Sequence, residues 1–253
     1  MNRFSFCVVA LMAVALRADA VSGAEQELKK NARAVREKYQ HALVTVKLTI
    51  KTRAIFEGKE FPNSEHQVEV EGTVLKSNGL TIVSDSATNP SARFLGEEGG
   101  VKIETETSDV KLVLKDGKEV PAKFVLRDQD LDLAFIMPEE KMEGLPHVTL
   151  EKNPIPDVME DVIYLYRLSK ALNREAAVSV GQVEAVVKKP RTFVVASHIP
   201  EGGCPAFDSA GKPFGVIVWR RAPGQKSGPA QTIILTAEDI YDAADQIGKQ
   251  EKP

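Results

Sequence analysis

Few residues of this 253-residue sequence could carry acid–base or nucleophilic chemistry. The sequence contains no glycine-rich phosphate loop, no HExxH zinc helix and no GxSxG nucleophile elbow. Cys204 follows His198 closely, and a thiolate paired with an imidazole is a competent nucleophile. A free cysteine is more often a small buried apolar group, so both interpretations stay open. The histidines show no metal-ligand spacing, and neither a metal nor another cofactor is expected: His41, His66, His147 and His198.

Three alternating acids form a second group of candidate residues. Asp128, Asp130 and Asp132 resemble the start of a calcium-binding loop, but no glycine and later glutamate complete it. Asp132 precedes Leu133 at the start of an apolar run. Its carboxylate could therefore cap the turn or accept hydrogen bonds from backbone N–H groups.

Composition excludes several classes of protein. The chain is 43% hydrophobic and 27% charged, which is too apolar for a disordered protein. Its 33 basic residues are balanced by 36 acidic ones, so no nucleic-acid partner is expected, because phosphate binding needs a basic surplus. The length suffices for one large β domain or two smaller units.

The N-terminus predicts a cleaved secretory signal over residues 1–20. Arg3 precedes an uncharged run from Phe4 to Leu16, and small residues follow at Ala18 and Ala20. A second cleavage pattern ends at residue 24. The apolar run is shorter than the roughly 20 residues that cross a bilayer, so an anchor is the weaker alternative. We therefore expect a secreted or periplasmic protein with no membrane span after cleavage. Cys204 would then be its only cysteine, leaving no internal disulfide.

The elements that must position these residues follow from hydrophobic periodicity. Apolar residues at helical spacing predict a helix over residues 25–41, and a capped apolar face predicts another over 237–247. Strict alternation from Val44 to Ile50 predicts a half-buried strand. Asn-Gly and Asp-Gly pairs predict hairpin turns at Gly79 and Gly117. Further strands are predicted over residues 68–75, 80–83, 110–114, 120–126, 162–166, 177–187, 192–196, 214–219 and 232–235.

These elements predict an all-β protein with two halves. A segment over residues 138–156, interrupted by Pro146 and Pro154, has little periodicity and is interpreted as a linker. The first half then covers about 42–137 and the second about 157–235. The organisation is therefore two antiparallel units with a short helix at each end.

Three segments in order resemble the sequence blocks of the trypsin-like serine proteases, specifically the protease domain of the HtrA family. The first runs from Glu71 to Ser86 and is similar to the hairpin leading into the catalytic histidine. The second, Asp128 to Ile136, resembles the block that carries the catalytic aspartate. The third contains Gly202-Gly203-Cys204-Pro205 and resembles the Ser-Gly-Gly-Pro nucleophile block. The resemblance covers residues 42–247 and implies two six-stranded antiparallel β-barrels.

The sequence departs from the family at the positions that carry its chemistry. Of the triad positions only Asp132 is retained, since Ser86 stands where the family has its histidine and Gly202 where it has its serine. The resemblance implies an oxyanion hole built by N–H groups at Pro200 and Gly202, and a proline has no N–H to donate.

The resemblance thus implies a secreted, HtrA-like protease homologue that has lost catalysis. An extended peptide or protein is the expected partner, since such clefts bind by strand addition. The alternative is an active hydrolase of this fold that uses Cys204 with His198. A third possibility is a structural or partner-binding module with a filled cleft. The oligomeric state is left open.

Overall fold

The computed structural model describes residues 23–57, 59–89, 101–152, 155–220 and 230–250. Its first seven strands form one antiparallel sheet in the order β2-β1-β3-β4-β7-β6-β5. Pairing of β1 with β5 closes six of them into a barrel. A short helix α2, Asp85–Thr88, follows β4. The strands are β1 Leu43–Phe56, β2 Lys59–Glu60, β3 Ser64–Val74, β4 Thr81–Ser84, β5 Val101–Val113, β6 Glu119–Asp128 and β7 Leu133–Pro138.

The remaining strands close a second antiparallel barrel in the order β10-β13-β12-β11-β8-β9. They are β8 Asp161–Arg167, β9 Ala176–Val187, β10 Phe193–Ala196, β11 Pro205–Asp208, β12 Pro213–Arg220 and β13 Gln231–Thr236. A helix α1 over residues 23–39 precedes the barrels, and α3, Ala237–Gln250, follows them. Short 3-10 turns lie at Gln40–Ala42 and Lys170–Leu172. The predicted fold class, two six-stranded barrels flanked by helices, is confirmed.

Alternation and turn chemistry account for the barrel strands. Val44, Val46, Leu48 and Ile50 all enter the core of the first barrel, as their period of two requires. Gly79 closes the β3–β4 hairpin at a φ of +90°, a left-handed conformation that favours glycine. These local signals therefore determine the register of the strands that lead to the site.

Some elements extend beyond the segments that periodicity predicts. Strand β5 starts at Val101, although the predicted strand begins only at Val110, because the residues from Glu104 to Asp109 are all polar. The two-residue β2 and the strands β7 and β11 were not predicted. Helix α1 begins at residue 23 and gives way to a 3-10 turn at Gln40.

A hydrophobic cluster joins both barrels to both helices. It includes Leu43 and Phe135 of the first barrel, Phe207 of the second, Val35 of α1 and Ile240 of α3. Each barrel also has its own interior cluster. The barrels therefore share buried apolar surface at their junction, where a site between them must lie.

The segment between the barrels is bound to both of them. The Val148 N–H donates to the Val74 carbonyl at 2.8 Å, and the Glu151 N–H donates to the Pro213 carbonyl at 2.7 Å. Val148 and Leu150 are buried. The predicted linker thus contributes to the shared core, and no strand interrupts its described residues between Pro138 and Asp161.

The predicted secretory signal, residues 1–20 with Cys7, lies outside the described residues. Among the helices that the structure describes, none has an apolar stretch long enough to cross a bilayer.

Helix α1 packs on the second barrel although it precedes the first in sequence. The Asn31 amide donates to the Ser209 carbonyl at 2.9 Å, and the Arg36 guanidinium donates to the Ala176 carbonyl at 2.8 Å. Val35 is 3% exposed and lies against the turn at Gly211. The helix thus brings the N-terminal part of the chain onto the second barrel.

We expect Val35→Ala to lower the free energy of unfolding by about 2 kcal/mol, because two buried methyl groups are lost and a cavity remains. Urea denaturation measures this change. Arg33→Ala, on the exposed face of the same helix, is the control and should have an effect below about 0.5 kcal/mol. Equal effects of the two substitutions would contradict the packing of α1.

Candidate functional site at the junction of the barrels

Asp132 lies in the turn between β6 and β7, at the junction of the two barrels. Its backbone is left-handed, with φ +56°, and the residue is 6% exposed. Oδ1 accepts a hydrogen bond from the Ser86 N–H at 2.7 Å. Oδ2 accepts one from the Ser84 hydroxyl at 2.6 Å and one from the Trp219 N–H at 2.8 Å. Since Trp219 belongs to β12, the carboxylate is hydrogen-bonded to both barrels.

Strand pairing fixes the donors on the first barrel. Ser84 is the last residue of β4 and pairs with Leu133 on β7, which places it beside the Asp132 turn. The Asp85 N–H donates to the Asp132 carbonyl at 3.0 Å, and helix α2 starts there. The Ser86 hydroxyl lies 3.2 Å from the Ser84 hydroxyl. Ser86 therefore reaches Asp132 through its backbone N–H, whereas Ser84 reaches it through its side chain.

Gly202 lies directly against Ser84. A Cβ atom added at Gly202 would come within 2.8 Å of the Ser84 Cβ, 3.2 Å of the Ser84 Oγ and 3.2 Å of the Trp219 ring. A separation of 2.8 Å is too short for two carbon atoms. The structure thus brings Ser86, Asp132 and Gly202 together around Ser84, with no space for a side chain at position 202.

The loop from Pro200 to Cys204 is fixed by β3 and β12. The Gly203 N–H donates to the Ile217 carbonyl at 2.8 Å, and the Thr73 hydroxyl donates to the Gly203 carbonyl at 2.7 Å. Gly203 has φ +99°, and a Cβ there would overlap the Glu71 carbonyl oxygen. The Gly203 N–H is consequently occupied, and Pro200 has no N–H.

The Cys204 thiol is buried and points away from solvent. It donates to the Glu71 Oε2 at 3.2 Å, and the residue has no exposed surface. Burial, with the Glu71 carboxyl second, raises the pKa of the Cys204 thiol well above its ordinary value. His198, in contrast, is exposed and sits at φ +55°. In the described part of the chain, the hydrogen-bonding partner of the thiol is therefore a carboxyl group, which disfavours the thiolate that nucleophilic attack needs.

Buried acids surround the junction. Burial raises the pKa of Asp132, and hydrogen bonds from Ser84, Trp219 and Ser86 oppose that shift. Burial likewise raises the pKa of Asp85, whose carboxylate pairs with the Arg127 guanidinium. Oδ2 of Asp85 has no hydrogen-bond partner among the residues that the structure describes.

No group of three or more His, Cys, Asp or Glu residues able to hold a metal ion occurs among the described residues. Of the three alternating acids, Asp128 accepts a hydrogen bond from the Leu131 N–H at 3.0 Å. Asp130 is exposed. Asp128 therefore caps the turn that carries Asp132.

Sequence reasoning missed several residues of the site. Ser84 and Trp219 contact Asp132 but carry no motif of their own. In the sequence, Glu71 stands out only as the first residue of the first block. An acid that directly precedes the apolar end of a strand, here beside Gly72 and Thr73, is a signal that could have been noticed.

No protein-family model matches the chain, and no curated protein is detectably similar in sequence. Solved structures are similar in fold. The structure described as "HtrA-type protease AlgWS227A with tripeptide" superposes with a TM-score of 0.54 at 12% identity, covering 85% of this chain and 63% of the other. The same protease "with decapeptide" gives a TM-score of 0.57 at 14% identity, covering 86% and 67%. The chain thus has the fold of an HtrA-type protease domain and spans about two thirds of those proteins' length.

We expect Asp132→Asn to lower the free energy of unfolding by about 2 kcal/mol. The two carboxylate oxygens accept backbone N–H groups from different barrels, and an amide can accept on only one side, so one buried donor loses its partner. Urea denaturation at pH 7 measures the effect. Asp130→Asn, in the same turn but exposed, is the control, and equal stability of the two variants would contradict this role of Asp132.

Proposed function

We propose that this protein is a pseudoprotease: a secreted or periplasmic protein with the HtrA protease fold that does not hydrolyse peptides and that binds an extended peptide or protein segment. The observation that carries the proposal is the environment of Asp132. In a working triad the aspartate orients a histidine, which takes the proton of the nucleophile. Here the described partners of the carboxylate are two backbone N–H groups and the Ser84 hydroxyl.

The nucleophile and the oxyanion hole support the same proposal. Gly202 has no side chain to attack a carbonyl group, and its neighbours leave no space for one. Of the two oxyanion-hole positions that the resemblance implies, Pro200 and Gly202, Pro200 has no N–H, and the N–H of the neighbouring Gly203 is bound to the Ile217 carbonyl. One oxyanion-hole donor contributes about 3 kcal/mol to transition-state stabilisation in proteases. Base, nucleophile and electrostatic stabilisation are therefore all compromised.

Peptide binding does not need the triad. Strand addition uses backbone hydrogen bonds and side-chain pockets, which persist when catalytic side chains are replaced. The two similar solved structures carry a tripeptide and a decapeptide, so this fold accommodates extended ligands. The predicted secretory signal supports a location outside the cytoplasm.

We expect the purified chain from residue 25 onward to show no peptide hydrolysis above buffer and no stoichiometric labelling by a fluorophosphonate or a thiol-directed probe. Ser86→His with Gly202→Ser should remain inactive, because the serine would collide with Ser84 and Pro200 still lacks an N–H. Hydrolysis of a fluorogenic peptide library measures the activity of the unmodified protein and of the double variant. The proposal would be overturned if a probe labelled the protein stoichiometrically and abolished peptide cleavage. Labelling at Cys204 would favour the alternative in which Cys204 is the nucleophile.

We expect a fluorescent decapeptide library to contain ligands that bind saturably and are not cleaved. Gly203→Ala should weaken binding at least tenfold, because its Cβ would displace the loop from β3. Gly117→Ala is the matched control, since Gly117 also has positive φ, +81°, but no atom of the described residues, its two chain neighbours aside, lies within 4 Å of its Cβ position. Fluorescence anisotropy measures affinity. Absence of any saturable ligand for the unmodified protein would contradict peptide binding.

A further inference from the structure

The first barrel has a depression of about 380 Å³ on its outer face, beside the turn between β8 and β9. Residues of β1, β3, β5 and the start of β6 line it. Neither Asp132 nor its hydrogen-bonding partners belong to this lining. Pockets that bind small molecules have volumes of about 300–1,000 Å³. The depression is therefore large enough for a small molecule and is separate from the site at the junction.

A β-bulge in β5 accounts for the depression. The register of β1 against β5 shifts between Lys47 and Thr49, so that Leu48 lies opposite two residues, Asp109 and Val110. Two residues facing one bend the strand and interrupt its hydrogen-bonded ladder. Asp109 has φ +51°, a left-handed conformation that is uncommon for residues other than glycine. The bend explains why the wall of the barrel is not continuous here.

The β8–β9 turn of the second barrel forms one side of the depression. The Arg174 guanidinium donates to both carboxylate oxygens of Glu69 on β3, at 2.9 and 2.6 Å. This ion pair holds the 3-10 turn Lys170–Leu172 beside β3, and Lys170 belongs to the lining. A cation of the second barrel is thereby placed over the face of the first.

The side chains that face the depression are polar. The two apolar residues of the lining, Leu48 and Val68, pack in the interior cluster of the first barrel instead. Thr49 is 5% exposed, and its hydroxyl makes no hydrogen bond to any residue that the structure describes. A buried hydroxyl without a partner is unfavourable. A ligand that completes the hydrogen bonds of this group would therefore gain affinity from it.

The charges of the lining leave one cation without a partner. Two of its three lysines have acidic partners, Lys47 with Glu119 and Lys111 with Asp109. Lys47 and Lys111 also face each other across β1 and β5, where like charges repel. The third acid is already paired with the guanidinium of the β8–β9 turn. Lys170 has no ion pair with a described residue, so an anionic group is the charge that the depression lacks.

We propose that this depression binds a small hydroxylated anion, a sugar-like molecule with one carboxylate or phosphate group. The Lys170 ammonium binds the anionic group, and the Thr49 hydroxyl and Gln67 amide bind hydroxyl groups. Hydroxyl and amide groups both donate and accept hydrogen bonds, as the hydroxyl groups of a sugar do. The polar lining disfavours an apolar ligand. Binding at this site does not depend on whether a peptide binds at the junction.

Calorimetric titration of the purified protein with D-glucuronate and with D-glucose 6-phosphate tests the proposal and distinguishes a carboxylate ligand from a phosphate ligand. At least one of the two should bind saturably. D-glucose has a similar body without the charge and should bind about tenfold more weakly, because a charge-assisted hydrogen bond is lost. Inorganic phosphate has the charge without the hydroxylated body and should also bind about tenfold more weakly.

Three variants assign the binding to the depression. Lys170→Gln should weaken binding of the anionic sugar about tenfold, because its unpaired cation is removed. Thr49→Val keeps the shape of the side chain without its hydroxyl and should weaken binding about threefold or more. Lys59→Gln is the matched control, since Lys59 is an exposed lysine outside the lining, and it should leave the affinity unchanged. Urea denaturation checks that each variant is folded.

The proposal is overturned if neither anionic sugar binds saturably, or if D-glucose or inorganic phosphate binds as tightly as they do. It is also overturned if Lys170→Gln and Thr49→Val both keep the affinity of the unmodified protein. Amide NMR shifts locate the ligand: changes at Gln67 support the site, and changes confined to Gly203 would contradict it. These measurements use no peptide, so failure of this site and failure of peptide binding are distinguishable.

Discussion

The Asp132 carboxylate is a buried charge at the contact between two barrels, and the surrounding structure is arranged to satisfy it. Removing an unpaired carboxylate from water costs several kcal/mol, so its oxygens must find donors. Trp219 of β12 provides one N–H, while Ser84 and Ser86 on the other side provide an O–H and an N–H. These bonds fix β12 against β4 and set the separation of the barrels. The position of Gly202 against Ser84 follows from that separation.

A second acid, Glu71, connects the barrels through the opposite side of the same loop. Its partners, the Arg167 N–H and the Cys204 thiol, are a backbone donor and a weak side-chain donor. Asp132 has three donors, two of them from the backbone, whereas Glu71 has two and faces the charge of Glu201. Burial raises the pKa of both acids, and the hydrogen bonds that each carboxyl accepts oppose that shift.

The sequence predicted the parts of the fold that depend on local signals. The alternation from Val44 to Ile50 and the glycine at Gly79 specify a strand and its turn within a few residues. The site was harder, because Ser84 and Asp132 are 48 residues apart and Glu71 and Cys204 are 133 apart. No periodicity records such contacts. The three blocks of the resemblance gave their order, but only the packed structure shows that the Ser84 hydroxyl donates to Asp132.

The same residues that depart from the protease pattern also pack the junction. Oδ2 of Asp132 accepts from the Ser84 hydroxyl and the Trp219 N–H, so a histidine that donated to this oxygen would have to displace one of them. A serine at position 202 would need the space occupied by Ser84 itself. Replacing one of these residues therefore disturbs the hydrogen bonds of Asp132 and does not by itself create a catalytic group. Under the proposed function, building a triad on this chain would require repacking of β4, β12 and the loop together, because the contacts around Asp132 and Gly202 fill the junction.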